Sequence, residues 1–212
     1  MISYTPIPIT QYKLMEVTMI RSYKDLQDYL SQDAKANGRT SIQPKLFGDE
    51  IWRFIVSLRK LEYYSNKSGR VALLFFPLKM LYRLRWHRLS LKLGFSIPKN
   101  VFDKGLAIVH YGAIVVANNA KVGANCRIHE GVTIGATNGS EKAPIIGNNV
   151  FLASGAKIIG DISIADDVAI GANAVVVKPI DEEATSWGGV PAKKISGESS
   201  RSNLCSMLFC DD

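Results

Sequence analysis

Histidine and cysteine are both scarce in this chain, at three residues each among 212. His87, His110 and His129, with Cys126, Cys205 and Cys210, show none of the short spacings of a zinc site, so no metal is expected. Three cysteines cannot all pair within one chain, and a reducing cytoplasm is the expected compartment. Long apolar runs are missing too. The run "VALLFFPLKMLYRLRW" from Val71 meets Pro77, Lys79 and Arg83 before reaching the ~20 apolar residues of a spanning helix. The opening "MISYTPIPITQYKLMEV" lacks a basic start, an apolar middle and a small-residue cleavage site, so export is not expected. Acids are thin in the first half, where Arg53, Arg59, Lys60, Lys67, Arg70, Lys79, Arg83, Arg85, Arg88 and Lys92 stand with few counter-charges. With a formal net charge of +7, this suits an anionic partner. No zinc-finger spacing and no aromatic and basic single-strand pattern occurs, which argues against nucleic acid.

Two textures meet near residue 95. Ser22 reads as the N-cap of a helix that ends at Gly38. "GDEIWRFIVSLRKLEYYSN" places Ile51, Phe54, Ile55, Leu58 and Leu61 at steps of three and four, an amphipathic helix with a basic outer face. A third helical stretch covers about Val71 to Leu93, broken or kinked at Pro77.

Beyond Gly94 the period becomes six. Positions 146, 152, 158, 164, 170 and 176 are all aliphatic, and the residues four further on are small or aliphatic. The frame extends upstream through Val122, Ile128 and Ile134, and again to Ile108 and Ile114, with a two-residue slip between Ile114 and Val122. A hexapeptide period is the mark of a parallel β-helix, in which three hexads make one triangular coil and coils stack at ~4.8 Å. The polar segment "GATNGSEKAPI", Gly135 to Ile145, lacks an aliphatic residue at 140 and reads as a loop pushed out of the helix. One histidine, His110, stands in the aliphatic stretch "GLAIVHYGAIVV".

The repeats, this loop and the ending "GGVPAKKIS" resemble the hexapeptide-repeat acyltransferases, in particular their serine acetyltransferase-like branch. "HYGAIVV", "GVTIG", "SGAKIIGDISI" and "GGVPAK" carry the resemblance in order and spacing, over about Phe95 to Ser196. It implies a mainly β fold, a left-handed parallel β-helix at residues 96–197 preceded by a helical domain at 1–95. Residues 198–212 form a tail expected to be disordered. The resemblance further implies transfer of acetyl from acetyl-CoA to a hydroxyl acceptor, with His110 as general base, a task that suits an imidazole at neutral pH. His129 lies about one coil along, and Glu130 or Asp103 would orient an imidazole. Ala136, Thr137, Ser154 and Ala172 would contact CoA through small side chains and backbone, and Lys178 and Lys193 would meet its phosphates. A homotrimer or dimer of trimers is implied. A peripheral contact with an anionic membrane is open to the basic helical region.

The chain departs from the serine pattern at the acceptor. Val109 stands where that branch has an aspartate, Phe95 near the place of a second one, and Lys142 and Ala143 where the loop carries arginine and histidine. A sugar of surface-polysaccharide biosynthesis is therefore the preferred acceptor, with serine as the alternative. From other classes, a non-catalytic β-helix scaffold and a metal hydratase on the same helix stay open, the latter needing three histidine ligands.

Overall fold

The computed structural model describes residues 18–137 and 139–210; the expectation for the opening 17 residues and the last two of the tail lie outside them. Four helices come first: α1 (Tyr23–Ala36), α2 (Glu50–Ser65), α3 (Gly69–Leu74) and α4 (Phe76–Leu93). Ser22 caps α1 as expected, its hydroxyl accepting from Asp25 N at 3.0 Å while Asp25 accepts from Ser22 N at 2.8 Å. The third helical stretch breaks at Phe75, just ahead of Pro77, which takes a first-turn position in α4 where its missing N–H costs nothing.

The remainder is a β-helix of parallel strands, each two or three residues long, on three walls. The first wall stacks Phe95–Ser96, Ile114–Val116, Thr133–Gly135, Lys157–Ile159 and Val175–Val176. The second stacks Lys121–Val122, Ile145–Ile146 and Ser163–Ile164, and the third runs from Ala107–Ile108 through Arg127–Ile128, Phe151–Leu152 and Ala169–Ile170 to Ser186–Gly188. Lys193–Ser196 closes the third wall as an antiparallel edge. Ile128, Ile134, Ile146, Leu152, Ile158 and Ile170 are fully buried and fill the prism axis, each worth about 1.5–3 kcal/mol of apolar burial.

The loop lies where expected, between Ile134 on the first wall and Ile146 on the second. The slip does not. Val116 pairs with Ile134, and Ile108 with Ile128, so the two extra residues fall between Ile108 and Val116, in the turn that carries His110. Ile114 and Val116 both point inward with Val115 exposed between them, and so both satisfy an aliphatic template; the hexad pattern cannot tell them apart.

Along the corner between the second and third walls, Asn125, Asn149 and Asp167 all adopt left-handed backbone and pass hydrogen bonds up the stack. Asn125 Nδ2 donates to Asn149 at 2.8 Å and Asn149 Nδ2 to Asp167 at 2.9 Å. Gln32 of α1 joins one end of this ladder and Arg201 of the tail the other. As far as Cys210 the tail is thereby packed on the prism rather than loose: Ser200 is buried and residues Ser200–Asn203 and Ser206–Leu208 form 3-10 turns.

Arg59, counted above among the outward cations, is instead fully buried. It donates to Asp33 at 2.7 Å and Glu62 at 3.1 Å, and to the carbonyls of Phe102 and Asp103 at 2.8 and 2.7 Å. Asp33 also accepts from the backbone N–H of Gly105 and Leu106. The helical period of α2 marks Arg59 as polar, but the β-helix's first coil supplies carbonyls that no periodicity reveals. Replacing Asp33 by Ala should lower unfolding free energy by about 3–5 kcal/mol in a urea titration, because it strands Arg59 and two amides. A loss below about 1 kcal/mol would show that water reaches the cluster and removes its cost.

Candidate active site

The corner between the third and first walls carries the chemistry. His110 stands exposed on the widened turn of the second coil, and His129 and Glu130 follow on the next coil along. The two imidazole rings meet edge to face at 5.8 Å, and His129 is also edge-on to Phe151 at 5.2 Å. Donor atoms of His110, His129 and Glu130 lie within 4.8 Å of one another, close enough for all three to address one bound group or ion.

Two glycines allow this approach. A Cβ on Gly112 would come 3.0 Å from Glu130 Cβ, and one on Gly131 would come 3.1 Å from the backbone of Gly155. Both have positive φ. The backbone therefore closes tightly on Glu130.

Burial, with a smaller push from the Arg127 guanidinium, holds His129 below its ordinary value of 6.5. The Ser154 hydroxyl beside Glu130 keeps that carboxyl below the usual range. Arg127 Nε, His129 Nε2 and Glu130 Oε2 are buried with no hydrogen-bond partner among the described residues. Such atoms are normally satisfied, so this stretch is where a bound molecule would find partners.

Not every residue singled out converges here. Asp103 faces the helices: its carbonyl receives Arg59 and its carboxylate the Lys104 N–H. Ser154 and Ala172 stack on the same corner as Glu130, whereas Ala136, Thr137 and Lys178 lie on the opposite edge of the first wall, between first and second walls. Lys193 is exposed on the antiparallel edge of the third wall. Lys142 pairs with Asp161 at 2.8 Å in solvent at the edge between first and second walls, and Ala143 is buried in the core.

Sequence reasoning missed a cleft of about 490 Å³ between the helices and the His110 turn. Val109 and Tyr111, the neighbours of His110, line it together with Arg39, Asp49, Glu50 and Lys92. Arg39 grips Asp49 through two bonds of 2.7 and 2.9 Å, and Lys92 meets Glu50 at 3.0 Å. Lys92 holds the half-buried Glu50 carboxyl below its ordinary value. Nothing in the local sequence around residues 39, 50 or 92 signals a site, since only the fold brings them to residue 109.

With this geometry in hand, comparison with known proteins is informative. A family model of bacterial transferase hexapeptide repeats matches residues 143–178. The serine acetyltransferase of Mycobacterium tuberculosis is 39% identical over 100 residues, 46% of this chain and 43% of that one. That of Synechococcus elongatus is 35% identical over 116 residues, 53% of this chain and 47% of that one. The chain thus spans about half the length of these curated relatives. Among solved structures, the Brucella abortus serine acetyltransferase in complex with coenzyme A superposes with a TM-score of 0.61 at 24% identity, covering 84% of this chain and 70% of that one.

Repeat, register and these likenesses define the fold: a left-handed parallel β-helix of hexapeptide repeats behind an N-terminal helical layer. More narrowly, its repeats are similar in sequence to the matching segments of the two serine acetyltransferases above. The expectation of a surface-polysaccharide sugar as acceptor is overturned by these relatives, which are serine acetyltransferases. It leaned on Lys142 and Ala143, which line no part of the cleft, and on a missing acid at Val109, whereas Glu50 and Asp49 bring carboxylates to that cleft from α2 and its cap.

Because the folded state favours neutral His129, acidification lets the unfolded chain take up the proton first. The stability this residue contributes is present above 6.5 and is lost as pH falls from 6.5 through its folded midpoint. Ring-proton NMR should place the His129 midpoint below 6.5, and His129→Gln should remove that part of the acid sensitivity. A midpoint above 6.5 would refute the assignment.

Proposed function

We propose that this chain is an O-acetyltransferase that moves acetyl from acetyl-CoA to the hydroxyl of serine, releasing CoA. The observation that carries the proposal is His110, exposed on a widened corner, whose two neighbours line a cleft holding both signs of charge. A zwitterion needs a carboxylate near its ammonium and a cation near its carboxylate; Glu50 and Asp49 with Arg39 and Lys92 provide them. The names of the relatives support serine.

In this reading His110 accepts the acceptor's hydroxyl proton as the oxygen bonds to the thioester carbon, and returns it to the departing sulfur. His129, kept neutral, and Glu130 hold the imidazole from the neighbouring coil. Backbone N–H groups at the corner would face the developing oxyanion. Small residues fit a pantetheine arm on the stacked corner: Ser154 and Ala172 leave its backbone open, and Ala136 with Gly160 do so across the first wall. Thr137 adds a hydroxyl at the start of the loop, and the exposed Lys178 and Lys193 offer charge to phosphates. Three free thiols fit a cytoplasmic setting.

Purified protein should release CoA from acetyl-CoA when L-serine is added, and His110→Ala should lower that rate by about 10²–10⁴-fold with the fold retained. Glu50→Gln should raise the KM for serine by about tenfold and leave that for acetyl-CoA nearly unchanged. Release no faster than without acceptor would end the proposal, and an unaffected Ala variant would remove His110 from it. The flat walls of the prism fit assembly into trimers, so light scattering should give three chains or six; one chain per particle would contradict this.

A further inference from the structure

From Tyr63 to Phe102 the chain has no acidic residue and eight lysines and arginines. That stretch includes α3 and α4. On its inner side α4 is held against α2: Tyr82 stacks on Tyr64 at 5.6 Å, Phe75 packs on Tyr64 at 5.5 Å, and Trp86 and Leu89 reach the core. Nothing covers the outer side among the described residues. Leu73 and Leu74 are 78% and 75% exposed, and Val71, Phe76, Leu78 and Leu81 are exposed beside them, forming an apolar knob at the bend between the two helices.

Arg70 stands at the base of this knob, and Arg83, Arg85 and Arg88 follow along the exposed part of α4. The local field is felt by Lys99, which partial desolvation first, and then Lys79 and Arg83, push below the ordinary lysine value. Two occupants could take up the apolar side chains. A second copy docked about a two-fold axis would set this acid-free basic surface against itself. An anionic bilayer offers an apolar phase and counter-charge at the depth where a knob ringed by arginines would rest. No helix among the described residues is long and apolar enough to cross a membrane, which leaves a surface contact.

We propose that the bend between α3 and α4 docks on an anionic phospholipid bilayer, with Leu73 and Leu74 entering the headgroup boundary and Arg83, Arg85 and Arg88 facing lipid phosphates. The contact is independent of the acetyl-transfer reading, because it uses no residue of the cleft or of the His110 corner.

The test is co-sedimentation of the whole protein with phosphatidylcholine vesicles and with vesicles containing about 30% phosphatidylglycerol, at low salt and at about 150 mM salt. Partitioning should be at least about tenfold stronger onto the anionic vesicles and should weaken with salt. Leu73→Ser with Leu74→Ser, and separately Arg83→Gln with Arg85→Gln, should each reduce it by about tenfold or more. These side chains are exposed, and an unchanged circular dichroism melt would certify the fold of each variant. Equal binding to both vesicle types, or binding untouched by either pair of substitutions, would overturn the proposal. So would a molar mass that halves in the serine variant without lipid, since a second copy would then be what covers the knob.

Discussion

Everything in this molecule depends on the stacking of one coil on the next. Among the described residues no parallel strand exceeds three residues, a length at which an isolated pairing has no stability of its own, so each strand exists because its neighbours above and below supply both hydrogen bonds and a buried aliphatic contact. Residues one coil apart are thereby held in fixed register. That register gives His110 and His129 their 5.8 Å approach and aligns Glu130, Ser154 and Ala172 on one corner. A corner residue in such a stack has little freedom, because the backbone pitch on both sides is set by packing. The positioning of the candidate catalytic groups is thus a property of the whole prism rather than of the loop they occupy.

The end of the prism that faces the helices needs a different device. Stacking leaves the amides and carbonyls at Phe102 to Leu106 without a preceding coil, and burying them bare would cost free energy. Asp33 and Arg59 meet that demand, the carboxylate accepting from two amides and the guanidinium donating to two carbonyls. Removing both charges in favour of apolar side chains would leave the backbone groups unsatisfied, which is why an ion pair here is more than an expensive equivalent of a hydrophobic contact. It also fixes α1 and α2 on the first coil, and so sets the walls of the cleft beside His110.

Legibility followed periodicity. The hexad repeat exposes the β-helix because each aliphatic position has the same environment in every coil, and the loop shows as a missing Ile, Val or Leu at 140. The slip was misplaced because Ile114 and Val116 are both aliphatic and both inward, and only hydrogen-bond pairing separates them. Arg59 was misread because its partners come from Asp33, 26 residues away in sequence, and from carbonyls more than 40 residues on. His110 was singled out through family likeness, whereas Arg39 in a loop and Glu50 and Lys92 on helices would look the same on any solvated surface. The acceptor was misjudged for that same reason: absence of charge at positions 109 and 143 was read as absence from the site.

The widened corner ties these observations together. A six-residue spacing between walls would draw the His110 turn in flush with the stack, as at the later corners where Ser154 and Ala172 lie beside tight turns. Two additional residues let the turn bulge toward the helices, so that Val109 and Tyr111 contribute to the cleft while His110 stays beside the next coil. The insertion is costly to a repeat fold, since it breaks the register that stabilises each strand, and it persists where Ile114 adds a second buried side chain to compensate. The irregular coil and the irregular helix face, α3 to α4 with its uncovered leucines, both depart from the packing rules that govern the rest of the described residues. Each departure leaves chemical groups exposed in an arrangement that folding alone does not require, an imidazole at one and an apolar knob with arginines at the other.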